Sequence, residues 1–348
     1  MPECNQLVYK KLVIVLFSAF VSLCLGCREQ PVSEPVSTPS AFSPEPEKQG
    51  SNNAWTIYWD NDVRAEATEV HYDSLILFAC YHRPDFSVYV PEMMWTLKEN
   101  LEAYEGTRYL SFTNDVLLEN GTSTQKSTEF LTELLKDESA WEKVMNEYLL
   151  LAKQFGADGI EIDFEKVDSA MYEVYSAFLK KLYNTAQEHD LKMRVVLEYR
   201  LNPDKIDLPK GPDYVIMCYN LYGYHSGPGP KADPAFLKKA VDKFGNVDGI
   251  GYGLANGGFE WSPDEKVIRS LTSQEAEKIA KDMNVLPSRD QASMALSFQW
   301  KEEDGIHTVW YGDDETILYW NNILDEASGR DVSITLWRIE KTELNMED

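Results

Sequence analysis

Short apolar runs alternate with stretches of helical period from residue 54 to about residue 341. Eight runs read as strands, over 55–59, 75–81, 108–112, 159–165, 193–199, 214–219, 249–254 and 333–337. Between them, 129–136, 140–155, 169–189 and 234–244 place apolar residues at helical spacing. Such alternation predicts a parallel sheet, most simply a (β/α)8 barrel. A doubly wound open sheet is the other reading, but no Gly-rich phosphate loop follows the first run. The alternation breaks between the seventh and eighth runs. There a helix over 273–283 is followed by strand-like runs over 292–300 and 306–311, joined through Asp304-Gly305, and then by a helix over 314–327. The barrel is therefore expected to carry a small α+β insertion, about 262–313.

The fourth run has a second pattern. Segment 158–165 reads Asp-Gly-Ile-Glu-Ile-Asp-Phe-Glu, and Glu161, Asp163 and Glu165 share a period of two. In a strand they project to one face, and Ile160, Ile162 and Phe164 to the other. Three large apolar groups suit a face packed under helices, which turns the acids toward the barrel interior. Interior acids are costly unless paired, protonated or working. The working face of such a barrel lies at the C-terminal ends of its strands, where Glu165 stands. Crowded acids raise one another's pKa, which favours a proton on Glu165 and hence a general acid. A ladder of buried acids that serves rigidity alone is the structural alternative. The same geometry puts Tyr58, Trp59, Asn114, Glu198 and Arg200 at the mouth. Tyr58 and Asn114 are taken as substrate-binding candidates, with a structural role equally open.

Composition narrows the classes of partner. Of 348 residues, 33 are basic and 58 acidic, a net charge of -25, which disfavours nucleic acid and anionic lipid. The 9 Trp and 19 Tyr could supply flat faces for sugars, although most aromatics serve cores. The five His are scattered singly, so neither a metal nor a cofactor is expected. A monomer is expected.

The N-terminus reads as a targeting segment. Lys10 and Lys11 precede an apolar run over 12–25 that ends in Gly26-Cys27. The ending resembles a bacterial lipoprotein box. It implies removal of 1–27 up to the lipidation residue Cys27 and a lipid-anchored place in the cell envelope; plain secretion is the alternative. Residues 28–53, rich in Pro, Ser and Glu, read as a disordered tether, 54–341 as the catalytic barrel and 342–348 as a tail. Cys80 and Cys218 lie in strand-like runs and read as buried small hydrophobes.

Segment 158–165 resembles the signature of glycoside hydrolase family 18, Asp-x-x-Asp-x-Asp-x-Glu on the fourth barrel strand. Asp158, Asp163 and Glu165 match, and Glu161 stands where the pattern has a shorter acid or amide. Met217-Cys218-Tyr219-Asn220 is similar to the family's Met-x-Tyr-Asp/Asn on the sixth strand. Trp337 matches the Trp near the end of the eighth. The tail, from Ile306-His-Thr-Val-Trp-Tyr to Ile334-Thr-Leu-Trp-Arg, is similar to the spore-germination, cell-wall-hydrolase branch. The resemblance implies a retaining glycosidase for glycans that contain N-acetylglucosamine, peptidoglycan before chitin-like oligomers, working through an oxazolinium ion formed by the substrate's own acetamido group. It makes Glu165 the acid and base, Asp163 and Tyr219 the residues that hold the acetamido group, and Met217, Asn220 and Trp337 the sugar subsite. Asp158 and Glu161 are supporting. A silent glycan-binding surface lipoprotein and an endo-β-N-acetylglucosaminidase for N-glycans are the alternatives.

Overall fold

The computed structural model describes residues 50–59 and 72–339. The signal segment, Cys27, nearly all of the tether and the 342–348 tail lie outside the described residues. Eight parallel strands form the barrel: β1 (Asn52–Ile57), β2 (Ser74–His82), β3 (Thr107–Leu117), β4 (Gly159–Asp163), β5 (Lys192–Leu197), β6 (Asp213–Met217), β7 (Ile250–Ala255) and β8 (Ile334–Trp337). Each pairs with the next, and β8 pairs back onto β1, so the sheet closes. The expected (β/α)8 barrel is borne out. Closure satisfies every strand edge, which an open sheet of this length leaves exposed.

The helices start and stop where local chemistry dictates. Ser127, Asp137, Asp233 and Asp313 each accept a backbone N–H as N-caps of Thr128–Lys136, Glu138–Phe155, Pro234–Phe244 and Asp314–Ser328. Gly156 and Gly329 end two of them in the left-handed region. These helices, with Tyr172–Glu188, press their apolar stripes on the outward side chains of the strands. Ile160, Ile162 and Phe164 belong to that outer layer, together with Tyr175, Phe178 and Leu182. Cys80 and Cys218 are buried free thiols, as read from their runs. Among the described residues no helix is long and apolar enough to cross a membrane.

The insertion is present and larger than expected. Its antiparallel sheet runs Val267–Leu271, Gly257–Trp261, Ile306–Gly312, Leu296–Lys301 and Ser288–Arg289, with helix Ser273–Asp282 against it. It therefore begins at 257 rather than 262. The sequence hides that start, because 249–261 reads as one largely apolar run in which only Asn256 and Glu260 are polar. Gly257, at φ 61, redirects the chain there from the barrel into the second sheet. The link from β5 to β6 holds a single short 3-10 turn, Pro203–Lys205, where a full barrel helix was to be expected.

Candidate active site

β4 pairs in register with β3 and β5, which sets Ser111, Glu161 and Arg194 side by side on the inner wall. Glu161 is fully buried. Its Oε1 accepts from Trp55 Nε1 at 2.8 Å and Ser111 Oγ at 2.9 Å, and its Oε2 from Arg194 Nε at 2.6 Å. Arg194 reaches on to Thr335 Oγ1 at 2.6 Å, and its guanidinium lies 5.4 Å from the Trp55 ring centroid. Glu161 is thus the anionic centre of a network joining β1, β3, β4, β5 and β8. Its length, one carbon more than the pattern's aspartate, spans that distance.

One inward step higher is Asp163, also buried. Its Oδ1 has no hydrogen-bond partner among the described residues. Burial, with the nearby charges of Glu165 and Glu161, pushes its carboxyl well above the usual range. Glu165 follows β4 at the mouth. Burial raises its pKa too, while the Lys126 ammonium, 2.7 Å from each of its carboxylate oxygens, pulls the other way. The net direction is upward, and the opposing lysine was not foreseen.

The backbone of Glu165 is fixed by Asn114. Its Oδ1 accepts from Glu165 N–H at 2.9 Å, and its Nδ2 donates to Glu165 C=O at 2.9 Å and to Ser127 C=O at 3.3 Å. Asn114 lies within β3, which runs on to Leu117 rather than ending at 112, and is buried. Its amide is therefore engaged with main chain, and it sets the height of Glu165 rather than lining open space.

Three more predicted residues converge here. Tyr219 follows β6, and burial together with Asp163 and Glu165 raises its hydroxyl well above its usual value. Its ring lies nearly parallel to Trp337 at 6.4 Å, and Trp337 meets Trp55 at 5.7 Å and Phe78 at 4.9 Å. Met217 is buried beneath, in a small cluster with Trp55, Tyr109 and Val215. Gly253 on β7 leaves the room for this: a Cβ there would sit 3.2 Å from Tyr219 Cε1 and 3.3 Å from Trp55 Cη2. Asn220 is exposed next to Tyr219. Tyr58 lies farther round the rim, its hydroxyl 2.7 Å from that of Tyr81. Asp158 is at the opposite end of the barrel, where its Oδ2 accepts Arg108 N–H at 2.9 Å and ties the start of β4 to β3.

Sequence reasoning missed Arg194 and Lys126. Arg194 had a signal, a lone cation in the apolar run 193–197 at an inward register. Lys126 had none, since it lies in a separate hairpin 39 residues before its partner.

A closed parallel barrel with a carboxylate ladder on β4, and Tyr219 and Trp337 stacked across it, resembles the site of chitinase-like barrel proteins. No family model matches the chain. The cortical fragment-lytic enzyme of Bacillus subtilis is 24% identical over 231 residues, 59% of this chain and 52% of the relative. The chain spans about half the length of this curated relative. The spore cortex-lytic enzyme SleL of Bacillus megaterium superposes with a TM-score of 0.70 at 19% identity, over 85% of this chain and 72% of SleL. A Nicotiana tobaccum class V chitinase in complex with NAG4 superposes at 0.65 and 11% identity, over 83% of this chain and 94% of the chitinase. The resemblance to glycoside hydrolase family 18, in its spore cell-wall-hydrolase branch, is borne out by these relatives.

Proposed function

We propose that the chain is a retaining glycosidase that cleaves β-linked glycans containing N-acetylglucosamine, peptidoglycan first and chitin-like oligomers next. The observation that carries this reading is the bare, buried Oδ1 of Asp163, one inward step from Glu165. An unpaired buried acceptor costs about 1–3 kcal/mol, and the acetamido N–H of a bound sugar is a donor that removes this cost.

In this reading Glu165 gives its proton to the glycosidic oxygen as the bond to the anomeric carbon breaks. The acetamido carbonyl oxygen attacks that carbon and forms the oxazolinium ion. Glu165, now a carboxylate, takes a proton from the water that opens the ring, so configuration is retained with one protein carboxylate. Asp163 accepts the acetamido N–H, and the Tyr219 hydroxyl donates to the acetamido oxygen and aims it. Asn220 bonds the sugar, and Trp337 is its apolar floor. The names of the spore-cortex relatives support peptidoglycan, and the tobacco complex with NAG4 supports an N-acetylglucosamine oligomer as the ligand class. The pattern over 10–27 supports export and a lipid anchor at Cys27, a placement suited to an insoluble wall.

Mass spectrometry of a peptidoglycan digest and a chitin-oligomer ladder, run side by side, tests the reading. Wild type should release products with retained configuration, and Glu165→Gln should lower kcat about 10²–10⁴-fold. If wild type and Glu165→Gln release equally little from both substrates while still binding them, the chain is a glycan binder and not a glycosidase.

A further inference from the structure

The contact that the mechanism leaves unused is the one between Lys126 and Glu165. Lys126 sits at the end of a hairpin that extends β3 beyond the barrel mouth, where Ser123–Thr124 pairs back on Val116 and Leu117. Its placement is built. Its backbone N–H donates to Asp115 Oδ1 at 2.7 Å, and the next N–H, of Ser127, donates to Asn114 C=O at 2.9 Å. These bonds hold Lys126 at φ 51, a left-handed conformation that a lysine rarely adopts, and turn its side chain back over the site. The ammonium then lies 2.7 Å from both oxygens of Glu165. The Glu165 side chain is 13% exposed, whereas that of Lys126 is 43% exposed. The lysine thus covers the carboxylate from the solvent side and has room to leave.

This contact opposes the proposed chemistry. A general acid must carry a proton, and an ammonium against both carboxylate oxygens favours the ionised form. A glycosidic oxygen also has to come within hydrogen-bond reach of Glu165, both of whose carboxylate oxygens already lie against Lys126. We propose that Lys126 is a positioning residue, which docks Glu165 as an anion before substrate arrives and is displaced when the glycosidic oxygen takes its place. This inference rests on the glycosidase reading for its purpose but not for its first test. No covalent step is added: Lys126 keeps its protons, and Glu165 exchanges its own with solvent.

The charged surroundings support the exchange. Glu165 faces Lys126 and Asp115 from the β3 hairpin, Asp163 from β4, Glu198 from the end of β5 and Tyr219 from β6. Glu198 is paired with Arg200 at 2.8 Å and accepts Lys166 N–H at 2.6 Å. With Lys126 in place, burial and the two acids raise the Glu165 carboxyl while the lysine lowers it. Without Lys126 the burial and the two acids still raise it. A displaced Lys126 still faces Asp115 and Glu198, so its charge is not stranded.

The test uses the folded protein with 13C-labelled glutamate, titrated by NMR without glycan, the Glu165 signal being assigned by its loss in Glu165→Gln. In Lys126→Met the Glu165 midpoint should rise, and in Lys126→Arg, which keeps the cation, it should stay near the wild-type value. An unmoved midpoint in Lys126→Met overturns the proposal. Lys126→Gln serves as the uncharged variant if the methionine form does not fold. This arm needs no turnover, so it stands even if the glycosidase reading fails. On glycan, the alkaline limb of kcat/KM against pH should move up in Lys126→Met, because the acid keeps its proton to higher pH. A uniform fall at every pH with the limb unmoved would show a merely structural lysine.

Discussion

Tyr219 is held in its place by what stands next to it. Trp337 stacks on one side, and the flat face of Gly253 admits its ring edge on the other. Gly253→Ala puts a methyl within 3.2 Å of Tyr219 and 3.3 Å of Trp55. Trp55 is fully buried and bonded to Glu161, so Tyr219 has to yield. A shift of a few tenths of an ångström in a group that aims the acetamido oxygen should lower kcat/KM about tenfold or more. The unfolding temperature should fall by a few degrees without loss of the fold, since overpacking here costs about 1–3 kcal/mol. Unchanged kinetics in this variant would remove Tyr219 from the proposed mechanism. Asp163, Glu165 and Tyr219 were legible as residues, the first two from alternation and the third from the motif. Lys126 was not legible, and neither was the hold of Asn114 on the Glu165 backbone, because a hydrogen bond across 39 or 51 residues leaves no local pattern.

At the scale of elements, the inner wall is pinned by one buried ion pair. Glu161 and Arg194 lie on adjacent strands, and their remaining hydrogen bonds reach β1, β3 and β8. Such a pair adds little net stability over well-packed apolar groups, but half of it is costly. Glu161→Leu leaves the Arg194 guanidinium buried without its carboxylate, and should lower unfolding stability by about 3–5 kcal/mol in urea. The double variant Glu161→Leu with Arg194→Met should recover most of that loss. Equal losses in single and double variants would show that the strands do not depend on the pair. Reading Glu161 as a supporting acid where the pattern has a shorter residue left out Arg194, the residue that uses its length. The elements themselves were nearly all legible, because apolar periodicity and capping residues are local. The start of the insertion was not, because its first strand continues the apolar run of β7.

At the scale of the whole molecule, pH acts through groups that folding removes from water. His82, at the end of β2, is fully buried, with Nδ1 2.8 Å from Thr113 O and Nε2 2.7 Å from Tyr148 Oη. Burial lowers its pKa from 6.5 to about 4, so the folded protein keeps it neutral. The unfolded chain takes up that proton below about pH 6.5, so the contribution of His82 to stability is full above that value and is lost as pH falls toward 4. The loss amounts to roughly 3 kcal/mol. Asp163 and Glu165, with raised values, act in the opposite sense and favour the folded state as pH falls. The His82 share is isolated by comparing wild type with His82→Gln in urea at pH 7 and pH 4. The stability gap between them should shrink by that amount, and a constant gap would mean that His82 does not stay neutral on burial.

The sequence by itself determined the eightfold alternation, the late insertion and the line of acids on β4, because strand and helix periods and turn residues act over a few positions. It also determined the acidic balance and the likeness to cell-wall hydrolases. Only the tertiary structure decided what each acid faces. Closing the sheet brought Arg194 to Glu161, left Asp163 Oδ1 without a hydrogen-bond partner among the described residues and folded Lys126 over Glu165. Those contacts join strands and loops far apart in the chain, and burial between them sets the protonation that the proposed chemistry needs.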